Sequence, residues 1–349
     1  MAEYVLRPLR AEELSQMEAL LAREGLRRDG RLDHSCGIFE GDTLIATGSC
    51  AGNTLRCLAV DGSHRGGGLL NQLVQHLIQV QYRRGNYHIF LYTKPQNAPL
   101  FEDLGFAEIA RAGDSTVFME NRRTGFSDYL SRLREESAAL EPLSGPTGAL
   151  VMNANPFTLG HQYLVQEAAA GCGALHLFVV SEDASLFPAR VRRELVRAGT
   201  AHLKNVVLHQ TDSYLISQAT FPAYFLPDSD AATAAQARLD GAVFARMAEA
   251  LGISVRYLGE EPFSPVTHIY NQLLSQTLPP SGIQCRILPR KAASSGEVIS
   301  ASAVREALSR GDWARVETLV PPSTMAFLRS EEGGRIIASL SSHGGGRPL

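Results

Sequence analysis

At 349 residues the chain exceeds what one hydrophobic core usually organises, so two domains are expected. A 44% hydrophobic fraction and a formal net charge of −3 suit an ordinary globular protein and give no electrostatic reason to expect a nucleic-acid partner. Five cysteines (Cys36, Cys50, Cys57, Cys172, Cys285) without a CxxC pair argue for a reducing compartment and against a structural metal, so no metal ligand is expected.

The opening Met1-Ala-Glu-Tyr-Val-Leu-Arg-Pro8 has no basic region followed by an apolar stretch, and no apolar run is long enough to cross a bilayer. A cytoplasmic location, with neither leader nor membrane association, is the expectation. Residues 4–8 read as a strand and 11–23 as an amphipathic helix opened by acidic residues. Strands follow over 35–40, 44–49 and 54–60, separated by Gly-Asp and Gly-Asn turns. A helix over 69–82, a strand over 88–92, a short helix over 98–104 and a strand over 115–120 complete a first domain, 1–125. A charged helix over 128–136 runs into Pro142-Leu-Ser-Gly-Pro-Thr147, where Pro and Gly cluster as periodicity stops, so 126–146 reads as a linker.

In a second domain, 147–330, strands over 148–154, 174–180, 205–209, 253–258 and 283–288 alternate with helices over 162–170, 189–199, 236–250, 265–275 and 302–309. That alternation predicts an α/β fold with a mostly parallel sheet covered on both faces. The tail, 331–349, reads as loose.

The stretch Val151-Met-Asn-Ala-Asn-Pro-Phe-Thr-Leu-Gly-His161 carries the chemistry. A strand ends in Asn-Pro and a helix opens at Thr158-Leu-Gly-His161, so Gly160 lets phosphate approach the backbone and His161 stands at the positive helix end. His161 and Thr158 can donate hydrogen bonds as charge builds on an α-phosphate and on departing pyrophosphate. A histidine at a helix start is otherwise a locally satisfied residue. Asn155 and Phe157 lie beside the turn, and Asn153 ends the strand, where open α/β sheets place ligands.

Far along the chain, Val298-Ile-Ser-Ala-Ser-Ala-Val-Arg305 sets Ser300 and Ser302 at a helix start and Arg305 one turn on, with Ser302 a sound N-cap. Arg290 and Lys291 add positive charge there, or are solvated. Arg190-Val-Arg-Arg193 reads as a solvated helix face or a phosphate contact. Glu182, Asp183, Ser185 and Arg190 are candidates to line the site after the second strand. The hydroxyl- and aromatic-rich 212–225 reads as a wall confining a small substrate. Thr267, in a segment that ends a strand and enters a helix, is a helix cap or a nucleotide contact.

In the first domain, Arg65-Gly-Gly-Gly68 between a strand and a helix suits a pyrophosphate or a flexible turn equally. With the later Gln96-Asn-Ala-Pro-Leu-Phe-Glu-Asp-Leu-Gly-Phe106 it resembles the core of the GCN5-related (GNAT) acetyltransferases. The resemblance implies a CoA-pyrophosphate turn at Arg65, Gly67 and Gly68, although Leu70 stands where that family has Gly or Ala. The domain is then either a groove for a CoA-like thiol arm, with Tyr92 and Asn97 facing it, or a purely structural unit.

Thr158-Leu-Gly-His161 and Ile299-Ser-Ala-Ser-Ala-Val-Arg305 resemble the paired motifs of the nucleotidyltransferase superfamily. That resemblance implies a Rossmann-like domain in which His161, Thr158 and Arg305 act catalytically. Asn155, Phe157, Gly160, Thr267, Lys291, Ser300 and Ser302 would then hold ATP, with Mg2+ on the phosphates.

The two domains together are similar to the citrate lyase ligase family over about residues 3–330, most specifically in the 214–225, 259–267 and 299–305 strings. That likeness implies an ATP-dependent acetate ligase. Its product would be the acetylated phosphoribosyl-dephospho-CoA thiol on the acyl-carrier subunit of citrate lyase, formed through acetyl-adenylate with release of AMP and pyrophosphate. The alternatives are an adenylyltransferase acting on a phosphate-monoester acceptor and an adapter that binds without turnover.

Overall fold

A computed structural model of the chain describes residues 4–140, 143–215, 220–260, 265–291 and 298–342. The chain divides into two compact units, one of Met1–Tyr129 with Thr220–Ala242 and the other of Leu130–Ala219 with Val243–Leu349.

The first unit is built from β1 (Tyr4–Pro8), α1 (Leu14–Arg23), β2 (His34–Glu40), β3 (Thr43–Ala51), β4 (Thr54–Val60), α2 (Leu69–Arg83), β5 (Phe90–Thr93), α3 (Ala98–Asp103), β6 (Ala107–Ala112) and β7 (Thr116–Glu120). These strands form one seven-stranded sheet in the order β1-β2-β3-β4-β5-β7-β6. Only β4 and β5 pair in parallel, and they do so only at Thr54–Phe90 and Leu55–Leu91. The register of β3 on β4 slips opposite Cys57, whose φ is +52°, so β4 bends just where its ladder with β5 stops. The two strands therefore part and leave a cleft. Helix α2 buries Leu69, Leu73, Val74, Leu77 and Val80, the three-and-four spacing of one helix face, against the sheet.

Helix α4 (Gly125–Ser137) precedes the second sheet. There follow β8 (Thr147–Met152), α5 (Leu159–Ala170), β9 (Ala174–Val179), α6 (Ala189–Thr200), β10 (Val206–Gln210), α7 (Ser229–Leu251), β11 (Val255–Gly259), α8 (Pro265–Thr277) and β12 (Gln284–Leu288). The chain closes with α9 (Ala301–Ser309), α10 (Trp313–Leu319), α11 (Pro322–Leu328) and α12 (Glu331–Ser342). The five strands run in the order β10-β9-β8-β11-β12, all parallel. Strand order grows outward in one direction to β10 and then restarts on the other side of β8. The switch between β8 and β11 is where such sheets open a crevice at the strands' carboxyl ends. Leu150, Val165, Leu177, Val191 and Val304 form the centre of its core.

Several elements differ from the sequence expectations. Strand β8 stops at Met152, because the backbone turns at Ala154, whose φ is +52°. Helix α7 begins at Ser229, seven residues before 236, where Asp228 Oδ1 accepts from Ala231 N at 2.8 Å. Strand β6 was not anticipated, since Ile109 is the one strand-forming residue in its Ala-Glu-Ile-Ala-Arg-Ala sequence, which is held by pairing with β7. Residues 331–342, read as loose tail, form α12, with Ile336, Ile337 and Leu340 packed on the core. Residues 343–349 lie outside the described residues, as do parts of the 214–225 and 259–267 strings, namely 216–219 and 261–264. No helix among the described residues is long and apolar enough to cross a membrane.

Candidate active site

In the second unit the turn after β8 is organised by Thr158, the N-cap of α5. Its Oγ1 accepts from His161 N at 3.2 Å, while Thr158 N donates to His161 Nδ1 at 3.1 Å. Because Nδ1 accepts, the neutral imidazole carries its proton on Nε2. Burial, and secondly the charge of Arg290, push the His161 pKa down to about 4, so the ring stays neutral near pH 7. Phe157 stacks on the imidazole, with ring centres 5.9 Å apart and planes 16° apart. Phe157 in turn fills the space at Gly199, where a Cβ would come within 2.3 Å of its ring.

The second motif lies directly against this turn. A Cβ on Gly160 would sit 2.6 Å from the carbonyl oxygen of Ile299, so glycine is needed for the approach of the segment entering α9. Ile299 N donates to Lys291 O at 3.1 Å, which places Lys291 beside α5, with its Nζ 5.8 Å from the centre of the Tyr163 ring. Arg305 Nη1 donates to Asn155 O at 2.6 Å and its Nη2 to Ser302 Oγ at 3.2 Å. Burial pulls the Arg305 pKa below its ordinary value, and a guanidinium remains charged under such a shift. Arg290 Nε donates to Glu260 O at 2.6 Å. Thus His161, Lys291, Ser300, Ser302 and Arg305 gather at two helix starts, whose unpaired N–H groups attract anions.

The geometry alters several expected roles. Ser300, not Ser302, caps α9: Ser300 has the extended backbone a cap requires and accepts from Ala303 N at 3.1 Å. Ser302 is exposed one residue into the helix, its hydroxyl beside Arg305. Thr158 is 1% exposed and its hydroxyl is engaged by His161, so it orients the ring instead of facing a ligand. Phe157 has no exposed surface, and its side chain belongs to the core. Asn155 is also buried, with Oδ1 accepting from Phe187 N at 3.0 Å. Thr267 stands half-buried in the first turn of α8, after the strand next to β8. Asp183 Oδ1 accepts from the N–H of Ala189, the first residue of α6, at 2.5 Å. Arg190 pairs with Glu194 and Glu332 on the surface.

A residue that sequence reasoning passed over is central to this architecture. Arg192, within the stretch read as a solvated helix face or a phosphate contact, is fully buried. Its Nε donates to Phe187 O at 2.9 Å and its Nη2 to Glu182 O at 2.5 Å. Its Nη1 reaches Val180 O at 2.8 Å, Asn153 O at 2.9 Å and Asn153 Oδ1 at 2.7 Å. The loops leaving β8 and β9 are thereby tied to one guanidinium, whose planar fork of donors suits several acceptors at once.

In the first unit the parted strands β4 and β5 open a cleft of about 680 Å³, lined by Leu58 to Val60 on one side and Tyr92 to Lys94 on the other. Arg65, Gly68, Leu70 and Asn97 also line it. Gly66 and Gly68 adopt φ of +83° and +73°, the left-handed conformation that glycine favours, and Gly68 caps α2. Arg65 pairs with Glu24, which also accepts from Gly62 N at 3.0 Å. Tyr224 and Phe225 line the same cleft. Their segment, expected to wall the site of the other unit, is held in this one by Arg27 N donating to Tyr224 O at 2.8 Å and Arg56 Nη2 to Thr220 O at 2.9 Å.

Comparison with known proteins finds two families along the chain. Residues 3–106 match the acetyltransferase (GNAT) family, and residues 147–328 match the citrate lyase ligase C-terminal domain. The chain is 43% identical over 290 residues to the citrate (pro-3S)-lyase ligase of Klebsiella pneumoniae, covering 82% of this chain and 83% of that protein. It is 37% identical over 328 residues to the corresponding ligase of Haemophilus influenzae, covering 91% and 96% respectively. With the ligase of Escherichia coli it shares 35% identity over 325 residues, covering 91% of each. The chain therefore belongs to the citrate lyase ligase family of enzymes, with a GNAT-type unit ahead of that family's C-terminal domain.

Proposed function

We propose that the enzyme is an ATP-dependent acetate ligase that acetylates the phosphoribosyl-dephospho-CoA thiol on the acyl-carrier subunit of citrate lyase. The observation that carries this reading is the junction of the two motifs, with Gly160 against Ile299 and Arg305 on Asn155 O at 2.6 Å. An imidazole, a guanidinium and two helix starts close to one another support the reading, as a donor set that suits a triphosphate.

An acetate oxygen attacks the α-phosphorus, the bond to the β-phosphate bridge breaks, and pyrophosphate leaves. Acetate is anionic at neutral pH, so the site needs to position and neutralise charge more than to remove a proton. His161 Nε2–H donates to the oxygens on which charge grows, held in place by Thr158. Arg305 and Lys291 face the outer phosphates. The thiol then attacks the carbonyl of acetyl-adenylate, its proton goes to solvent, and AMP departs. Magnesium would supply further charge neutralisation between phosphate oxygens. Among the described residues the His/Cys/Asp/Glu trio that could hold a metal lies elsewhere, so the donors at this junction suit an ion carried by the nucleotide and water.

Acetate-dependent exchange of labelled pyrophosphate into ATP is the direct test. Exchange with acetate and no phosphate-monoester acceptor is expected. Exchange only with such an acceptor would instead favour an adenylyltransferase. The cleft of the first unit is assigned to the CoA-like arm. Gly68→Asp puts a carboxylate at the first turn of α2, and it is expected to weaken dephospho-CoA binding about tenfold, measured by calorimetry. Unchanged affinity would leave that unit a structural role.

A further inference from the structure

In the first unit, two imidazoles and a thiol meet away from the cleft. His34 and Cys36 lie two residues apart on β2 and so share one face of the sheet, and His76 stands on α2, which packs across that face. One nitrogen or sulfur atom from each of the three lies within 4.8 Å of the others. Cys36 is fully buried. Nε2 of His34 and Nε2 of His76 are both buried and have no hydrogen-bond partner. A core filled only for packing rarely leaves two imidazole nitrogens unsatisfied beside a thiol, since each buried polar atom without a partner is destabilising. Cys50, also fully buried, is the register partner of His34 on β3 and adds a second thiol to the neighbourhood.

We propose that His34, Cys36 and His76 bind one borderline-soft transition-metal ion per chain, of which zinc is the natural occupant. Two imidazoles and a thiolate select such an ion and exclude magnesium or calcium, which take oxygen ligands. On binding, the Cys36 S–H bond breaks, the sulfur–metal bond forms, and the proton passes to solvent. The fourth position falls to water. Sequence spacing conceals the site, because positions 34, 36 and 76 form no recognisable ligand motif. The ion would pin α2, the helix that begins immediately after Arg65-Gly-Gly-Gly68, to β2.

The test uses the full-length chain without a polyhistidine tag, stripped by chelator and titrated with Co2+. A one-to-one complex is expected, with thiolate-to-cobalt absorption that Zn2+ abolishes by displacement. Cys36→Ser should remove that absorption, and His76→Gln should weaken Co2+ binding about 100-fold, while Cys285→Ser leaves both unchanged. Zn2+ should raise the Tm of the stripped wild type by about 3 °C or more, and that of His76→Gln by much less. If Cys36→Ser does not fold, the wild type and His76→Gln decide the matter. The proposal is overturned if stripped wild type takes up no stoichiometric Co2+ or Zn2+ at micromolar concentration. It is equally overturned if the charge-transfer band survives in Cys36→Ser, or if His76→Gln binds as tightly as wild type.

Discussion

Replacing Arg192 with methionine is expected to lower the free energy of unfolding by about 3–5 kcal/mol, read from urea denaturation followed by circular dichroism. Methionine fills much of the same volume, so the loss would come from polar groups and not from a cavity. The carbonyls of Asn153, Val180, Glu182 and Phe187 would each lose a charge-assisted donor, and those of Val180 and Phe187 would lose it in a buried position. Burial pulls the Arg192 pKa down, while the nearby charges of Asp183 and Glu182 oppose that shift. The cation is thus stabilised mainly by the carbonyls around it. Arg192→Lys should also be destabilising, because an ammonium cannot span acceptors on both sides of the fork. In both variants the affinity for ATP should fall, since the loops after β8 and β9 shape the crevice where the nucleotide is proposed to bind. A change in stability below about 1 kcal/mol would contradict the assigned role.

His161→Ala is expected to slow acetate-dependent pyrophosphate exchange by about 10²- to 10³-fold, with only a small change in the KM for ATP. The split follows from timing, because the Nε2–H bond strengthens as charge develops on the phosphate and contributes little before. The pH profile gives a second readout. The folded-state pKa of about 4 lies below the ordinary 6.5, so the neutral donor persists throughout the assay range. Exchange should be level from about pH 6 to 9, without the decline near 6.5 that an imidazolium donor would produce. The same shift carries a sign for stability. The unfolded chain binds the proton more readily, so this histidine's contribution is complete above about 6.5 and is lost as pH falls towards 4. His176, also held at about 4 by burial and then by its neighbour His209, acts in the same direction. A His161→Ala enzyme with full exchange, or a wild-type rate that collapses above pH 6.5, would remove His161 from the chemistry.

The strand-turn-helix at 151–161 was legible because its signals are local: an apolar strand, an Asn-Pro break and a glycine at the helix start, whereas the capping role of Thr158 was not read from them. The helix at Ser300 was legible for the same reason, although capping chemistry alone could not decide between two serines separated by one residue. The reason for Gly160 was not legible. Its missing side chain makes room for Ile299, more than a hundred positions away, as well as for any ligand. Arg192 was hidden by its neighbours, since Arg-Val-Arg-Arg on a helix reads as surface unless the loops converging on one of its faces are known. The helices α10 to α12 are short, Pro-flanked or glycine-containing, and they form because they cover the core and not from their own propensity.

The first unit is not continuous along the chain. Arg27 and Arg56 hold a segment that the polypeptide supplies only after residue 219, and Phe221 meets the Tyr92 ring edge-on at 5.7 Å. Cleaving the polypeptide between the two matched families would therefore not liberate an intact acetyltransferase-like module. It would strip aromatic side chains from that module's own pocket and strand two arginines, so genetic dissection or module swapping must carry 220–242 along with the amino-terminal half.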